Sequence, residues 1–505
     1  MPDNYRRPGV YIQEQSYPDP LEGVETTITA FPGRFTKGPV GKAVSVSSFA
    51  EFEDLFGDGG SDDKNARSIW LYFENGGRKA LIYRLFKGDT TASTTGFRIP
   101  TPEGSLLLSA KYPGIWGNNL TLEIQPHPED SNHFRLTVQE QRTDVPGPLK
   151  TREIYERLSL DPASRDHLHK HLESSNFLRV TNSPPEAAQP AAGTYGYDSS
   201  GDNGEPINEI EILRDNGLID MDEAPFFNLL CLPDPEHGKG FSVPLLQQVA
   251  HFCRLQKAVC ILGPHPVWTT PLSVKTQVEN LQNELSSDER QSIAQYYPDL
   301  IIPDPSDSRK NIRLSPVGAV AGVIARTTIE RGVWKAPAGS GAGIEGCRGL
   351  AADLPDADAE QLNAIGVNSL KVIPGRGAVI WGGRTLDGSN RYSSEGKYLS
   401  IKRLMNFIRQ SVEAGTGWTA FEPNSAETWN ALRQQTDHFL DSLFRNGAFA
   451  GSTPHKSYYV RCGTDTMSEA DQEQGLIRLE IGVAPIRPSE FIILVAELSA
   501  QPVQR

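Results

Sequence analysis

Three clusters of residues have the types and spacing that could do chemistry. Gly341-Ala-Gly343-Ile-Glu-Gly346 matches a dinucleotide-binding loop, in which glycines let backbone amides close on a pyrophosphate at a helix N-terminus. That chemistry needs a strand leading into the loop, and Ala336-Pro-Ala-Gly-Ser340 stands there instead, so no nucleotide site is expected. His167, His169 and His171 crowd into Asp-His-Leu-His-Lys-His, and on a helix His167 and His171 would share a face, a spacing that can chelate zinc. No third ligand stands at a diagnostic spacing and Lys170 opposes a cation, which favours a solvated helix face. Asp58-Gly-Gly-Ser-Asp-Asp63 is acidic but lacks the spaced oxygens and closing Glu of a calcium loop, and reads as a polar loop. Neither GxSxG nor a P-loop occurs. The expectation is a chain with no catalytic residues, no cofactor and no metal, and hence no enzyme.

The elements that must carry such a chain are those of an ordinary globular protein. Of 505 residues, 38% are hydrophobic and 22% charged, which at roughly 150 residues per domain implies two to four domains. The 49 Lys and Arg against 63 Asp and Glu give a net charge of −14, which disfavours nucleic acid or an anionic membrane as the main partner. The amino terminus has no apolar stretch of signal-peptide length, and no run of 18 uncharged apolar residues occurs, so synthesis and assembly in a cytosol without membrane insertion are expected. The five cysteines (Cys231, Cys253, Cys260, Cys347 and Cys462) lack CxxC spacing and read as reduced, buried small hydrophobes.

Both ends of the chain have strand composition. Gly9-Val10-Tyr11-Ile12-Gln13-Glu14 is followed by the breaking stretch Tyr17-Pro-Asp-Pro20. Phe491-Ile492-Ile493-Leu494-Val495-Ala496 is set off from the alternating Ile477/Leu479/Ile481/Val483 run by Pro485 and Pro488. An apolar strand at a free end is an aggregation hazard unless its edges are paired, so both ends are expected to dock in a sheet, their own or a neighbour's. Between them, strands are expected at 27–31 and 80–85, helices at 49–56 and 66–75, and period-two strands around Leu120/Leu122/Ile124 and Phe134/Leu136/Val138. Residues 181–206 read as a loop-like connection. Strands at 227–232 and 258–262 alternate with helices at 242–256 and 316–326. Two amphipathic helices follow, one marked by Ile401, Leu404, Met405, Ile408 and Val412 with Lys402, Arg403 and Arg409 off that face. The other is marked by Trp429, Leu432, Thr436, Phe439, Leu440 and Leu443, starts near the capping pair Asn424 and Glu427, and ends at Asn446-Gly447.

The order of motifs resembles the tail sheath proteins of contractile phages and phage tail-like contractile injection systems. The resemblance runs through Arg7-Pro-Gly-Val-Tyr-Ile-Gln-Glu14, Phe73-Glu-Asn-Gly-Gly77 with Tyr83-Arg84, Tyr112-Pro-Gly-Ile-Trp-Gly-Asn-Asn119, Tyr155-Glu-Arg-Leu-Ser-Leu160 and Pro316-Val-Gly-Ala-Val-Ala-Gly322. It is densest in Gly332-Val-Trp-Lys-Ala-Pro-Ala-Gly339, Ile380-Trp-Gly-Gly-Arg-Thr385, Lys402-Arg-Leu404, Phe421-Glu-Pro-Asn424 and Ala484-Pro485 to Glu490-Phe491. Gly383, Lys402 and Ser489 depart from the usual Ala, Arg and Ala.

The resemblance implies a structural subunit that polymerises as stacked six-fold rings around an inner tube and shortens to drive that tube through a target envelope. It implies self-association through the terminal arms, which add strands to sheets of neighbouring copies. Further implied partners are the inner tube protein, baseplate and cap or terminator proteins, and paralogous sheath subunits, with assembly in the bacterial cytoplasm and extracellular release of the particle. The family's tube-attachment helix falls near Thr466–Gln474, where Glu469, Asp471 and Glu473 are expected to meet basic groups on the tube; a solvated acidic turn is the other reading of the same residues.

The expected architecture is a mixed α/β multidomain chain. It has an N-terminal arm (1–25), an inner sheath domain assembled from 26–95 and 346–490, a β-rich insertion (96–185), an α/β insertion (186–345) and a C-terminal arm (491–505). Two other readings stand beside it: an α/β enzyme with a cofactor or metal site, and a non-contractile baseplate or virion protein.

Overall fold

The computed structural model describes residues 20–57, 63–141, 148–182, 189–213, 226–232, 240–268, 270–305, 307–392 and 394–488. The arm residues Gly9–Glu14 and Phe491–Ala496 lie outside the described residues. The rest divides into two units: residues 26–330 with 337–399, and the described parts of 1–25, 331–336 and 400–505.

The larger unit is organised by an eight-stranded sheet. Its spatial order is Gly377–Ile380, Val367–Ile373, Ile293–Tyr297, Val259–Leu262, Leu229–Cys231, Thr29–Gly33, Ala80–Arg84 and Ala43–Val46. The six central strands run parallel and both outermost strands antiparallel. Parallel strands bury both faces, which is why segments such as Val259-Cys-Ile-Leu262 are apolar at every position rather than alternating. Successive residues face opposite cores: Ala30, Leu230 and Cys260 join Leu245, Val249, Val274 and Leu362 on one side. On the other, Phe31, Cys231, Val259 and Ile261 meet Phe52, Ile69, Tyr72 and the helix Val317–Arg331. That last helix is small-residue rich because Gly318 and Gly322 lie against the backbone of Ser68 and Tyr72, where a Cβ would come within 1.9 and 2.4 Å of a carbonyl oxygen.

This sheet corrects the expected domain boundaries. Strands 229–231, 259–262 and 293–297, assigned from sequence to an insertion, share one sheet with Thr29–Gly33, because Thr29 and Ala30 register against Leu229 and Leu230. The β-rich module also runs past 185, since Gly193–Tyr195 pairs with Leu122–Ile124 in a four-stranded sheet with Phe134–Glu140 and Lys150–Leu158. A second, three-stranded sheet (Gly96–Thr101, Gly104–Ala110, Leu178–Val180) closes a core of Phe97, Leu106, Trp116, Leu122, Leu136 and Leu158. Residues 400–488 separate from 26–95 rather than joining them in one compact unit.

The smaller unit packs the helix Ala426–Arg445 and the helix ending at Gly415 around Leu404, Ile408, Phe439, Leu440 and Leu443. Two sequence expectations are corrected here. Arg403, placed off the buried face, is 4% exposed. The second helix is capped by Ser425, whose hydroxyl accepts from the Thr428 amide, not by Asn424.

Candidate functional site

The three clusters whose residue types could bear chemistry, and which were expected not to, lie as follows. The backbone from Gly339 to Ile344 lies along the edge strand Gly377–Ile380, with Ile380 N donating to Ala342 O (3.0 Å) and Ile344 N to Ala378 O (2.8 Å). The GxGxxG match is therefore part of a cover on an exposed sheet edge. His167 precedes the helix Leu168–Glu173 and its ring stacks on His169 at 5.3 Å. Among the described residues no group of three or more His, Cys, Asp or Glu is placed to hold a metal. Of the acidic run, Asp63 is described; its carboxylate accepts from the Asn65 and Ala66 amides and caps the helix Lys64–Glu74. All five cysteines are free thiols, four of them buried.

A cavity of about 350 Å³ opens beside the carboxyl ends of strands 229–231, 259–262 and 293–297, the place where α/β sheets hold ligands. Its walls are chiefly apolar. Trp268 Nε1 donates to Gln277 Oε1 (2.7 Å), and the Gln295 amide donates to the carbonyls of Leu262 (3.3 Å) and Gly263 (2.5 Å). Trp268, Gln277 and Gln295 are thus engaged with one another or with backbone.

The smaller unit presents two surface features instead. The first is a two-stranded antiparallel sheet, Tyr458–Arg461 with Glu480–Val483. Tyr458, Val460, Ile481 and Val483 pack toward the helical core, while Tyr459 is exposed with the Arg461 guanidinium 5.0 Å from its ring. Gly482 stands directly opposite Tyr459, and a Cβ there would lie 2.1 Å from that ring, so glycine lets the tyrosine cross the partner strand. Among the described residues each strand has one strand neighbour, leaving one ladder edge on each side.

The second is the short helix Glu469–Glu473. Ser468 caps it and Asp471 returns a carboxylate to the Ser468 amide (2.9 Å) and hydroxyl (2.8 Å). Those hydrogen bonds hold the Asp471 carboxyl below its ordinary value, and Arg478 lies 3.9 Å away. Asp471 is thus committed locally, while Glu469 and Glu473, one turn apart, are exposed on a common face.

The helix is seated by Phe421-Glu-Pro-Asn424. Asn424 Nδ2 donates to the carbonyls of Gln472 and Leu476 (3.2 Å each), and its Oδ1 accepts from Trp429 Nε1 (2.7 Å). Beneath lie Leu432, Cys462, Met467, Trp418, Ile477 and Leu479. Sequence reading missed this role of Asn424 because its partners lie some fifty residues downstream, beyond any local capping pattern.

Residues 269–386 match the central domain of the phage tail sheath proteins. The tail sheath protein of Vibrio phage KVP40 is 28% identical over 127 residues, which span 25% of this chain and 18% of that protein. The chain therefore matches less than a fifth of that relative's length. Among solved structures, a sheath tail protein of Listeria innocua superposes with a TM-score of 0.64 at 14% identity, covering 92% of this chain and 96% of that one. A sheath complex of an extracellular contractile injection system in its contracted state gives 0.58 at 19% identity, with 98% of each chain covered. A chain of the anti-feeding prophage baseplate in its contracted state gives 0.61 at 21% identity, with 99% of each covered.

Proposed function

We propose that this chain, whose residues 269–386 match the central domain of the phage tail sheath proteins, is the sheath subunit of a contractile tail or contractile injection system. It polymerises as stacked six-fold rings around an inner tube, associates with a baseplate and a terminal cap, and shortens to drive the tube through a target envelope. The observation that carries this reading is the joint one: a tail sheath central domain at 269–386, within a chain whose fold follows a contractile sheath over 98% of its length. The role is structural, with paralogous subunits able to join the same lattice, and assembly takes place in the bacterial cytoplasm before any release.

Coupling between copies runs through strand addition. Gly9, Val10, Tyr11, Ile12, Gln13 and Glu14 of one copy, and Phe491, Ile492, Ile493, Leu494, Val495 and Ala496 of another, extend the sheet of Tyr458–Arg461 and Glu480–Val483. That sheet's two ladder edges support the assignment. Main-chain hydrogen bonds of about 0.5–1.5 kcal/mol net each tolerate rotation of the joined bodies, because they depend on pairing and not on side-chain identity. The tube is met by Glu469 and Glu473, with Asp471 holding their helix in shape. The β-rich module 96–185, with its continuation at 193–195, faces outward.

Negative-stain microscopy of the purified full chain tests the reading: hollow helical tubes are expected. A discrete oligomer carrying a bound chromophore or metal would favour an α/β enzyme, and closed rings that never extend would favour a baseplate component.

A further inference from the structure

The cavity beside the carboxyl ends of strands 229–231, 259–262 and 293–297 has no part in strand addition, and its walls select a chemistry of their own. Among the described residues, no Lys, Arg, Asp or Glu lines it. The helix Val243–Leu255 starts at its border, and the amides of such a helix start ordinarily draw an anion. That place is taken. The Glu209 carboxylate accepts from Ser242 N and Ser242 Oγ (2.5 Å each), and Ser242 Oγ accepts from Leu245 N (3.4 Å). A phosphate or carboxylate ligand would meet a helix end that already holds a negative charge, so the cavity suits an uncharged occupant.

The walls also set shape. Phe241 and Trp268 supply aromatic surface, and Leu246, Val278 and Leu281 aliphatic surface. The Trp268 indole is held in place, with Nε1 on Gln277 and its ring 6.1 Å from that of Tyr297 and 6.4 Å from that of His265. A flat ring packs on such a fixed surface at little cost in side-chain order. Two of the lining polar groups keep hydrogen-bonding capacity. Ser315 Oγ has no partner among the described residues. His265 Nδ1 accepts from the Val267 amide (3.4 Å), which assigns the ring hydrogen to Nε2, an atom that has no partner among the described residues. Burial lowers the pKa of this imidazole and so favours its neutral form. Glycine at 240 and 263 lets both groups stand there, since a Cβ would lie 2.0 Å from His265 Nε2 and 2.0 Å from Ser315 Oγ respectively.

We propose that this cavity is a binding site for an uncharged, planar aromatic compound of one or two rings with a hydrogen-bonding group, its ring against Trp268 and Phe241 and its polar group at Ser315 and His265. A volume of about 350 Å³ stands at the small end of ligand sites, which fits that size. Occupation ties the strand ends to the helices Val243–Leu255 and Pro271–Glu284 and stabilises the larger unit by mass action.

Equilibrium dialysis of the full-length chain against indole, whose N–H can donate to Ser315 Oγ, and against the anion naphthalene-2-sulfonate tests the site. The native chain is expected to bind indole saturably, at about one per chain, and naphthalene-2-sulfonate at least tenfold more weakly. Ser315→Ala should weaken indole binding about two- to tenfold through the lost hydrogen bond. Val278→Phe, which fills the cavity from the helix Pro271–Glu284, should abolish it. If Val278→Phe lacks a native-like circular dichroism spectrum and melting transition, Asn280→Trp, at an exposed lining position of the same helix, takes its place. Absence of saturable indole binding, or binding that the filling variant leaves untouched, would overturn the site. Equal affinity for naphthalene-2-sulfonate would overturn the uncharged class, and unchanged affinity in Ser315→Ala would overturn the polar contact.

Discussion

Single side chains in the larger unit carry charge into places that water does not reach, and each predicts a pH response. Lys37 is 8% exposed, lies 4.1 Å from the Phe177 ring and 4.8 Å from Trp116, and donates Nζ to the Asp54 carbonyl (2.9 Å). Burial pushes its ammonium down to about 8. Between pH 8 and its ordinary value of 10.5 the unfolded chain holds on Lys37 a proton that the folded chain has released, so this group's contribution to stability rises with pH there, on the order of 1 kcal/mol per pH unit. Above pH 10 the buried phenol of Tyr72 and the half-buried phenol of Tyr155, both pushed up to about 12, act in the opposite sense. The denaturant midpoint of the native chain minus that of Lys37→Met should therefore climb through pH 8, 9 and 10; the difference cancels the opposite contribution of the Cys231 and Cys260 thiols, which burial pushes up and which both chains share. Asp387 responds at the other end of the scale. It is fully buried, accepts from Arg290 Nε (2.8 Å), Ser287 Oγ (2.9 Å) and Gln291 Nε2 (3.2 Å), and Arg290 also lies 4.1 Å from the Tyr392 ring. Burial alone would raise its carboxyl, but these hydrogen bonds outweigh burial and hold it low. Its contribution is present above the ordinary carboxylate range and is lost as pH falls through the lowered value. Asp387→Ala leaves the Arg290 charge buried without its partner and should cost about 3–5 kcal/mol in chemical unfolding at pH 7.

Elements with their own periodicity were legible in the sequence. The helix Phe49–Phe56 falls on its expected residues, and Val243–Leu255 and Ala426–Arg445 follow their apolar stripes. The period-two runs became Leu120–Pro126 and Phe134–Glu140. Elements defined by distant partners were not legible. Gly193–Tyr195 sits in a Gly- and Pro-rich stretch and is a strand because Leu122–Ile124 offers a ladder. The smaller unit gives this dependence a test. Asn424→Ala removes three hydrogen bonds, two of them to carbonyls of the acidic-helix segment, one part-buried and one exposed, and should lower stability by about 1–3 kcal/mol while loosening Glu469 and Glu473. Hydrogen exchange at 468–476 should rise in this variant and not in Glu469→Gln. Gly482→Val forces Tyr459 off the partner strand, and its cost should show as reduced sheath assembly at a concentration where the native chain polymerises.

At the scale of the whole molecule, the class of fold was readable and its partition was not. Composition and apolar runs indicated mixed α/β from the start, but which strands share a sheet is fixed by register, and Thr29–Gly33 finds Leu229–Cys231 across the entire β-rich module. The order of motifs pointed to the family, and the tube-facing reading of residues 469–473 stays a proposal, whereas the service of Asn424 needed three-dimensional placement. The proposed mechanism needs each copy to be stitched to its neighbours by its two ends, since a lattice that moves while holding together requires joints whose pairing survives rotation. Cryo-electron microscopy of polymer grown from the full chain, beside chains lacking residues 1–16 or 490–505, addresses this most directly. The account predicts hollow helical tubes from the full chain, with terminal strands of neighbouring copies paired to Tyr458–Arg461 and Glu480–Val483, and at most isolated rings from either shortened chain; tubes of unchanged geometry from the shortened chains would contradict it.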